Sequence, residues 1–102
     1  MSKIDITTIG QRNWNIEELV GHLKRNQIVW CWGAKNWSKY KDLVLKFKVQ
    51  GYLHKGYVYI SLGWNDTFNI HIVSTHGNIK KEYTDIYIDQ LIDVIDRAVE
   101  TK

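Results

Sequence analysis

Between residues 43 and 83, apolar and polar residues alternate in successive short runs, and this alternation limits what the chain can fold into. In residues 43–50 the odd positions are all apolar, and the even positions are Val44, Lys46, Lys48 and Gln50. The next run sets Val58, Ile60 and Leu62 against Tyr57, Tyr59 and Ser61, and a third sets Phe68, Ile70 and Ile72 against Asn69 and His71. Side chains of a strand point alternately to its two faces, so each run is greasy on one side and polar on the other. Residues 54–56, 63–66 and 76–78 hold the glycines of three turns, with Gly51 a candidate bulge. With a last run at about residues 79–83, the pattern predicts a four-stranded antiparallel meander. Lysines, tyrosines and a histidine collect on its polar face.

Two stretches carry helical spacing. Asn15 has the chemistry of an N-cap, with Glu18 as its capping-box partner and Trp14 placed to staple onto Leu19. Ile16, Leu19, Val20 and Leu23 then share one face, so a short N-terminal helix is expected over residues 16–25. A final helix capped by Thr84 or Asp85 is expected to line up Ile88, Leu91, Ile92, Ile95 and Val99, with Asp85, Asp89, Asp93, Asp96 and Glu100 on the adjacent arc. Its apolar stripe needs cover, and the greasy sheet face supplies it. The expected fold is a two-layer α+β domain: an antiparallel sheet of four to five strands, a C-terminal helix packed on one face and a short N-terminal helix.

A fifth strand has two candidate sources. Residues 27–32 are β-prone, with Trp30 and Trp32 on one side and Val29 and Cys31 on the other. Residues 1–13 read equally as a loose tail or as an edge strand at residues 4–9. Residues 33–42 read as a loop. At 102 residues the chain fits a single domain, 1–102, large enough for one core.

Five Trp and six Tyr exceed what a core of this size needs, so some of these rings belong at the surface. One of Trp30 and Trp32 is expected in the core, and Trp64 in a turn is expected to be partly exposed. The net charge of +3 is unevenly spread: residues 33–55 carry six Lys and one Asp, residues 82–100 six acidic residues and one Arg. Cys31 is alone, which excludes an internal disulfide, suits a reducing compartment and, between tryptophans, predicts a buried inert thiol. No apolar run approaches the ~18–20 residues of a membrane span. A cytoplasmic protein with no membrane partner is expected.

The blocks Gly33-Ala34-Lys35-Asn36-Trp37, Leu45-Lys46-Phe47-Lys48, Tyr57-Val58-Tyr59-Ile60-Ser61-Leu62, Ile79-Lys80-Lys81-Glu82 and Ile86-Tyr87-Ile88-Asp89-Gln90-Leu91 resemble small uncharacterised proteins encoded by phages and related mobile elements. The resemblance implies a mobile-element origin and carries over no catalytic residue. Four antiparallel strands followed by a helix also look like the whirly-type single-strand-binding domains, a likeness of topology alone.

The strongest candidate site is the polar sheet face with the segment before it: Lys35, Trp37, Lys39, Tyr40, Lys41, Lys46, Lys48, Tyr57 and Tyr59. Single-stranded DNA or RNA needs cations along its backbone and flat rings under its bases, and this set offers both. Lys and Tyr are equally ordinary on a solvated sheet face, and the same tyrosines would suit an interface with a second copy or a host protein. The acidic helix is a further candidate interface. His22, His54, His71 and His76 lack metal-site spacing, so no metal or other cofactor is expected. With no phosphate loop, carboxylate pair or hydrolase motif, no enzyme activity is expected either. The two functional readings are a non-catalytic accessory protein binding single-stranded nucleic acid and a protein-interaction module.

Overall fold

The computed structural model describes residues 3–4, 9–51 and 54–99. Among the described residues, three full helices, α1 (Ile16–Lys24), α2 (Gln27–Cys31) and α3 (Ile88–Val99), accompany five strands: β1 (Lys35–Tyr40), β2 (Val44–Gln50), β3 (Lys55–Leu62), β4 (Phe68–Ser74) and β5 (Ile79–Ile86). The strands form one antiparallel sheet in the order β1-β2-β3-β4-β5, so each pairs with its neighbour in the chain. The two-layer α+β architecture expected from the alternation is the one observed.

The helices cover the first face of this sheet. Leu45, Phe47, Val49, Val58, Ile60, Ile70 and Ile72 meet Ile16, Leu19 and Leu23 of α1, Val29 and Trp32 from the α2 region, and Leu91, Ile95, Ala98 and Val99 of α3. Each large apolar side chain taken fully out of water there contributes about 1.5–3 kcal/mol. Phe47 anchors the aromatic part of this layer, with the Trp37 ring 4.5 Å from its own and the Trp32 ring 6.5 Å away.

The α1 cap is as the sequence predicts: the Glu18 backbone N–H donates to Asn15 Oδ1 at 3.1 Å. Trp14 packs against the core that contains Leu19, meets Phe68 edge-on at 5.4 Å, and its Nε1 donates to the Leu43 carbonyl.

Four expectations need correction. Residues 27–31 are helical, not a strand. Asn26 caps this turn by accepting the Ile28 N–H, and Val29 and Trp32, three residues apart, both reach the core while Ile28 and Trp30 are exposed. Tertiary packing has overridden the β preference of Ile, Val and Trp. The expected loop at residues 33–42 is largely β1, an edge strand lacking apolar alternation that the β2 ladder nonetheless recruits. α3 starts later than expected because β5 continues to Ile86, which pairs with Phe68; Ile88 is then 51% exposed and Ala98 joins the buried set. Cys31 is exposed, not buried.

The described part of the N-terminal region is tied to the β4–β5 turn and the second sheet face. Lys3 makes an isolated bridge to Asn78, the Ile4 N–H donates to the Gly77 carbonyl, and Ile4 and Ile9 pack on the second sheet face. The rest of the proposed edge strand, residues 5–8, lies outside the described residues, as does Glu100 of the acidic arc.

Gly56 shows how closely β3 approaches its surroundings. Its φ is +156°, and a Cβ there would stand 2.3 Å from the Val73 carbonyl oxygen and 3.0 Å from His54 Nε2. Gly56→Ala is therefore expected to be destabilising, through backbone strain and a clash with a backbone atom that cannot rotate away. Phe47→Ala, which empties the centre of the aromatic layer, is expected to lose about 3–5 kcal/mol. Urea unfolding of both variants checks this, and a Gly56→Ala protein as stable as wild type would contradict the packing described.

Candidate nucleic-acid interface

Backbone bulges decide which side chains share the second face. Lys35 pairs with Lys48 and Ser38 with Lys46, so three steps on β1 match two on β2. Asn36, at φ +57°, takes up the extra residue, a conformation that Asn tolerates better than most. Lys35 and Ser38 consequently both face away from the helices. Lys39 falls opposite Leu45 on the helical side, and Trp37 also turns there, onto Phe47.

The second face is built in rows across the strands. One row runs Ser38, Lys46, Tyr59, His71 and Glu82; the next runs Lys35, Lys48, Tyr57, Val73 and Ile79. The Lys46 ammonium stands 4.4 Å from the centre of the Tyr57 ring and 5.6 Å from that of Tyr59. At the β1–β2 turn, Lys41 lies 5.5 Å over the Tyr40 ring. Such contacts contribute about 0.5–1 kcal/mol each at exposed positions.

The nine predicted site residues therefore do not form one surface. Lys35, Tyr40, Lys41, Lys46, Lys48 and Tyr57 gather on the β1–β3 half of the second face. Trp37 and Lys39 are on the helical side, where Lys39 is bonded to the Glu17 carboxylate and lies 3.1 Å from Asp42. That bonding lowers the Glu17 pKa and raises that of Lys39, so both stay charged and pair with each other. Tyr59 is only 7% exposed and packs with Val44 and Val73 beneath Ile4 and Ile9, which leaves no open ring for a base to stack on. The signal for this burial was available: Val44 and Val73 interrupt the polar alternation, and Ile4 and Ile9 supply matching cover.

The rest of the second face mixes polar and apolar residues. A cleft of about 360 Å³ under the N-terminal region is lined by Lys3, Gln11, Asn69, His71, Glu82 and Thr84 among others. Ser61 Oγ and His71 Nδ1 are buried on this face without a hydrogen-bond partner among the described residues. Among the described residues no group of three His, Cys, Asp or Glu could hold a metal, and no helix is long and apolar enough to cross a membrane. Trp32 is buried, with Nε1 donating to Asp96 Oδ1 at 2.9 Å, whereas Trp30 and Trp64 are 76% and 73% exposed.

No family model matches the chain, and no curated protein or solved structure matches it either.

Two buried histidines tie stability to pH. Burial lowers the pKa of His71 below its ordinary 6.5, partly opposed by Glu82, whose Oε2 is 3.6 Å from Nε2. Burial, reinforced by Lys80, lowers that of His54. Both imidazoles are held neutral in the fold and charge more readily in the unfolded chain, so the unfolded state binds the extra protons. Stability is thus complete above the unfolded pKa and falls as the pH drops below it. Urea unfolding from about pH 7.5 to about pH 5 is expected to show this decline, and His71→Gln to reduce it; a pH-independent midpoint would contradict it.

Proposed function

We propose that this chain is a non-catalytic accessory protein that binds single-stranded nucleic acid through the open half of its second sheet face. The observation that carries this reading is the opposition of Lys35 and Lys48 across β1 and β2, with Lys46 in the neighbouring row. Like charges directly opposite one another on a sheet are destabilising. Among the described residues no carboxylate pairs with any of the three. A phosphate backbone laid along β1 and β2 relieves that repulsion and releases counterions. Tyr57, half-buried and held beside the Lys46 ammonium, offers a ring for a base. Lys41 and Tyr40 extend the surface around the β1–β2 turn.

A labelled oligothymidylate titrated against the protein tests this by anisotropy. With three backbone contacts to a single strand, the logarithm of the binding constant should fall with the logarithm of salt concentration at a slope of about −2. The double variant Lys46→Glu, Lys48→Glu is expected to abolish binding while leaving the thermal unfolding transition in place. Unchanged binding by that variant would remove this face from the reading. An absence of binding at low salt, together with a stable dimer in sedimentation, would support the protein-interaction module instead.

A further inference from the structure

A second feature lies around the β1 edge from the lysine strip. Lys24 at the end of α1, Val29 and Trp30 of α2, Ala34, and Lys35 and Trp37 of β1 line a cleft of about 420 Å³. That volume is within the range of small-ligand sites. Its walls are mostly apolar and its rim carries two lysines. The adjoining cleft along α1 shares Lys24 and Trp37, and the carboxylate bordering it, Glu17, is already paired with Lys39.

Both indoles are held in place. Trp37 stacks on Phe47 at 4.5 Å, with the Lys24 ammonium 5.7 Å from its ring centre. Trp30 is 76% exposed, yet its Nε1 donates to the Lys24 carbonyl at 2.9 Å. That carbonyl belongs to the last turn of α1, where helix carbonyls lack partners within the helix. An indole kept exposed and oriented this way presents a flat surface at little further entropic cost on binding.

We infer that this cleft is a base-binding subsite: one flat ring of a nucleotide rests against Trp30 and Trp37, and its phosphate is held by Lys24 and Lys35. The apolar walls select for a ring, and the lysine rim selects for an anion joined to it. β1 is the outermost strand, so no other strand blocks the way from the second face into the cleft. Lys35 belongs to both places, since it lines the cleft and pairs with Lys48 on the sheet. A single strand lying on Lys46 and Lys48 therefore continues over this edge and seats a base at the tryptophans. The identity of the polymer rests on the proposed function; the subsite itself can be tested apart from it.

The experiment follows tryptophan emission and oligonucleotide anisotropy together, with oligothymidylate, adenosine monophosphate and polyglutamate as probes. Both nucleotide probes are expected to quench the emission, and polyglutamate, anionic but without rings, to leave it unchanged. Trp30→Ala should weaken oligothymidylate binding roughly five- to hundredfold, the range for stacking on one base. Its salt slope should match wild type, because all the lysines remain. Trp30→Phe keeps a ring without the bond to Lys24 and should bind within a few-fold of wild type, which separates lost stacking from a disturbed α2. If the Lys46→Glu, Lys48→Glu protein loses the oligonucleotide but adenosine monophosphate still quenches it, the subsite stands without the sheet face. If Trp30→Ala binds the oligonucleotide like wild type, or if polyglutamate quenches as nucleotides do, the inference is overturned whatever the sheet face does.

Discussion

The central strand β3 is buried on both sides, and much of the molecule follows from that. Val58 and Ile60 point to the helices, Tyr59 and Ser61 point the other way, and all four are removed from water. A sheet with one solvated face needs a single covering layer; a sheet with apolar residues on both needs a second. Here the second cover is partial. Ile4 and Ile9 lie over Val44, Tyr59 and Val73, and the region is tied to the β4–β5 turn by the Ile4 N–H and by Lys3 Nζ, which donates to the His76 carbonyl. The chain then leaves toward α1, with the Trp14 N–H bonded to the Asp42 carbonyl beside the β1–β2 turn. Lys46 and Lys48, on the β2 part of that face, stay partly exposed.

Bulges sort the edge strands in the same sense. In β1 the extra residue lets Lys35 and Ser38 share the outer face while Trp37 joins the core. In β5, between the pairs that Ile86 makes with Phe68 and Tyr83 with Ile70, Asp85 at φ +59° plays the same part, and both Tyr83 and Ile86 stay on the helical side. Asp85 also accepts from the Asn65 amide at 3.1 Å, so this bulge is anchored to the β3–β4 turn. A second shift follows in β5, where Ile72 pairs with Lys81 and Val73 with Ile79. Each added residue changes which face the side chains beyond it meet, because the side-chain period of a strand is two.

Period and cap chemistry made the centre of the fold legible in the sequence. The alternation through β2, β3 and β4 and the Asn15 cap depend on neighbours in the chain and could be read from it. β1 could not, since Lys35 to Tyr40 carries no apolar alternation and is a strand only because β2 offers it a ladder. α2 could not either, because a run holding the strand-favouring Ile28, Val29 and Trp30 became helical to bury Val29 and Trp32 together. Three of the nine candidate residues, Trp37, Lys39 and Tyr59, were misplaced, the last for a related reason. Tyrosine has an apolar ring and a polar tip, so treating Tyr59 as a polar-face residue said nothing about whether that face was wet. The Trp30 cleft joins two helices to an edge strand, and no spacing rule along the chain brings those together.

The small net charge of the chain understates the field at its lysine strip. The exposed carboxylates of α3, Asp89 and Asp93, belong to the helical layer, on the other side of the sheet from Lys46 and Lys48. The molecule is 23 Å across even in its thinnest direction, whereas screening at physiological ionic strength acts over about 8 Å. Acidic residues in one layer therefore do little to cancel a cationic strip that faces out from the other. Their field is felt chiefly at the outer surface of α3 itself. The net charge of +3 is thus the sum of charges that act in different places on the molecule.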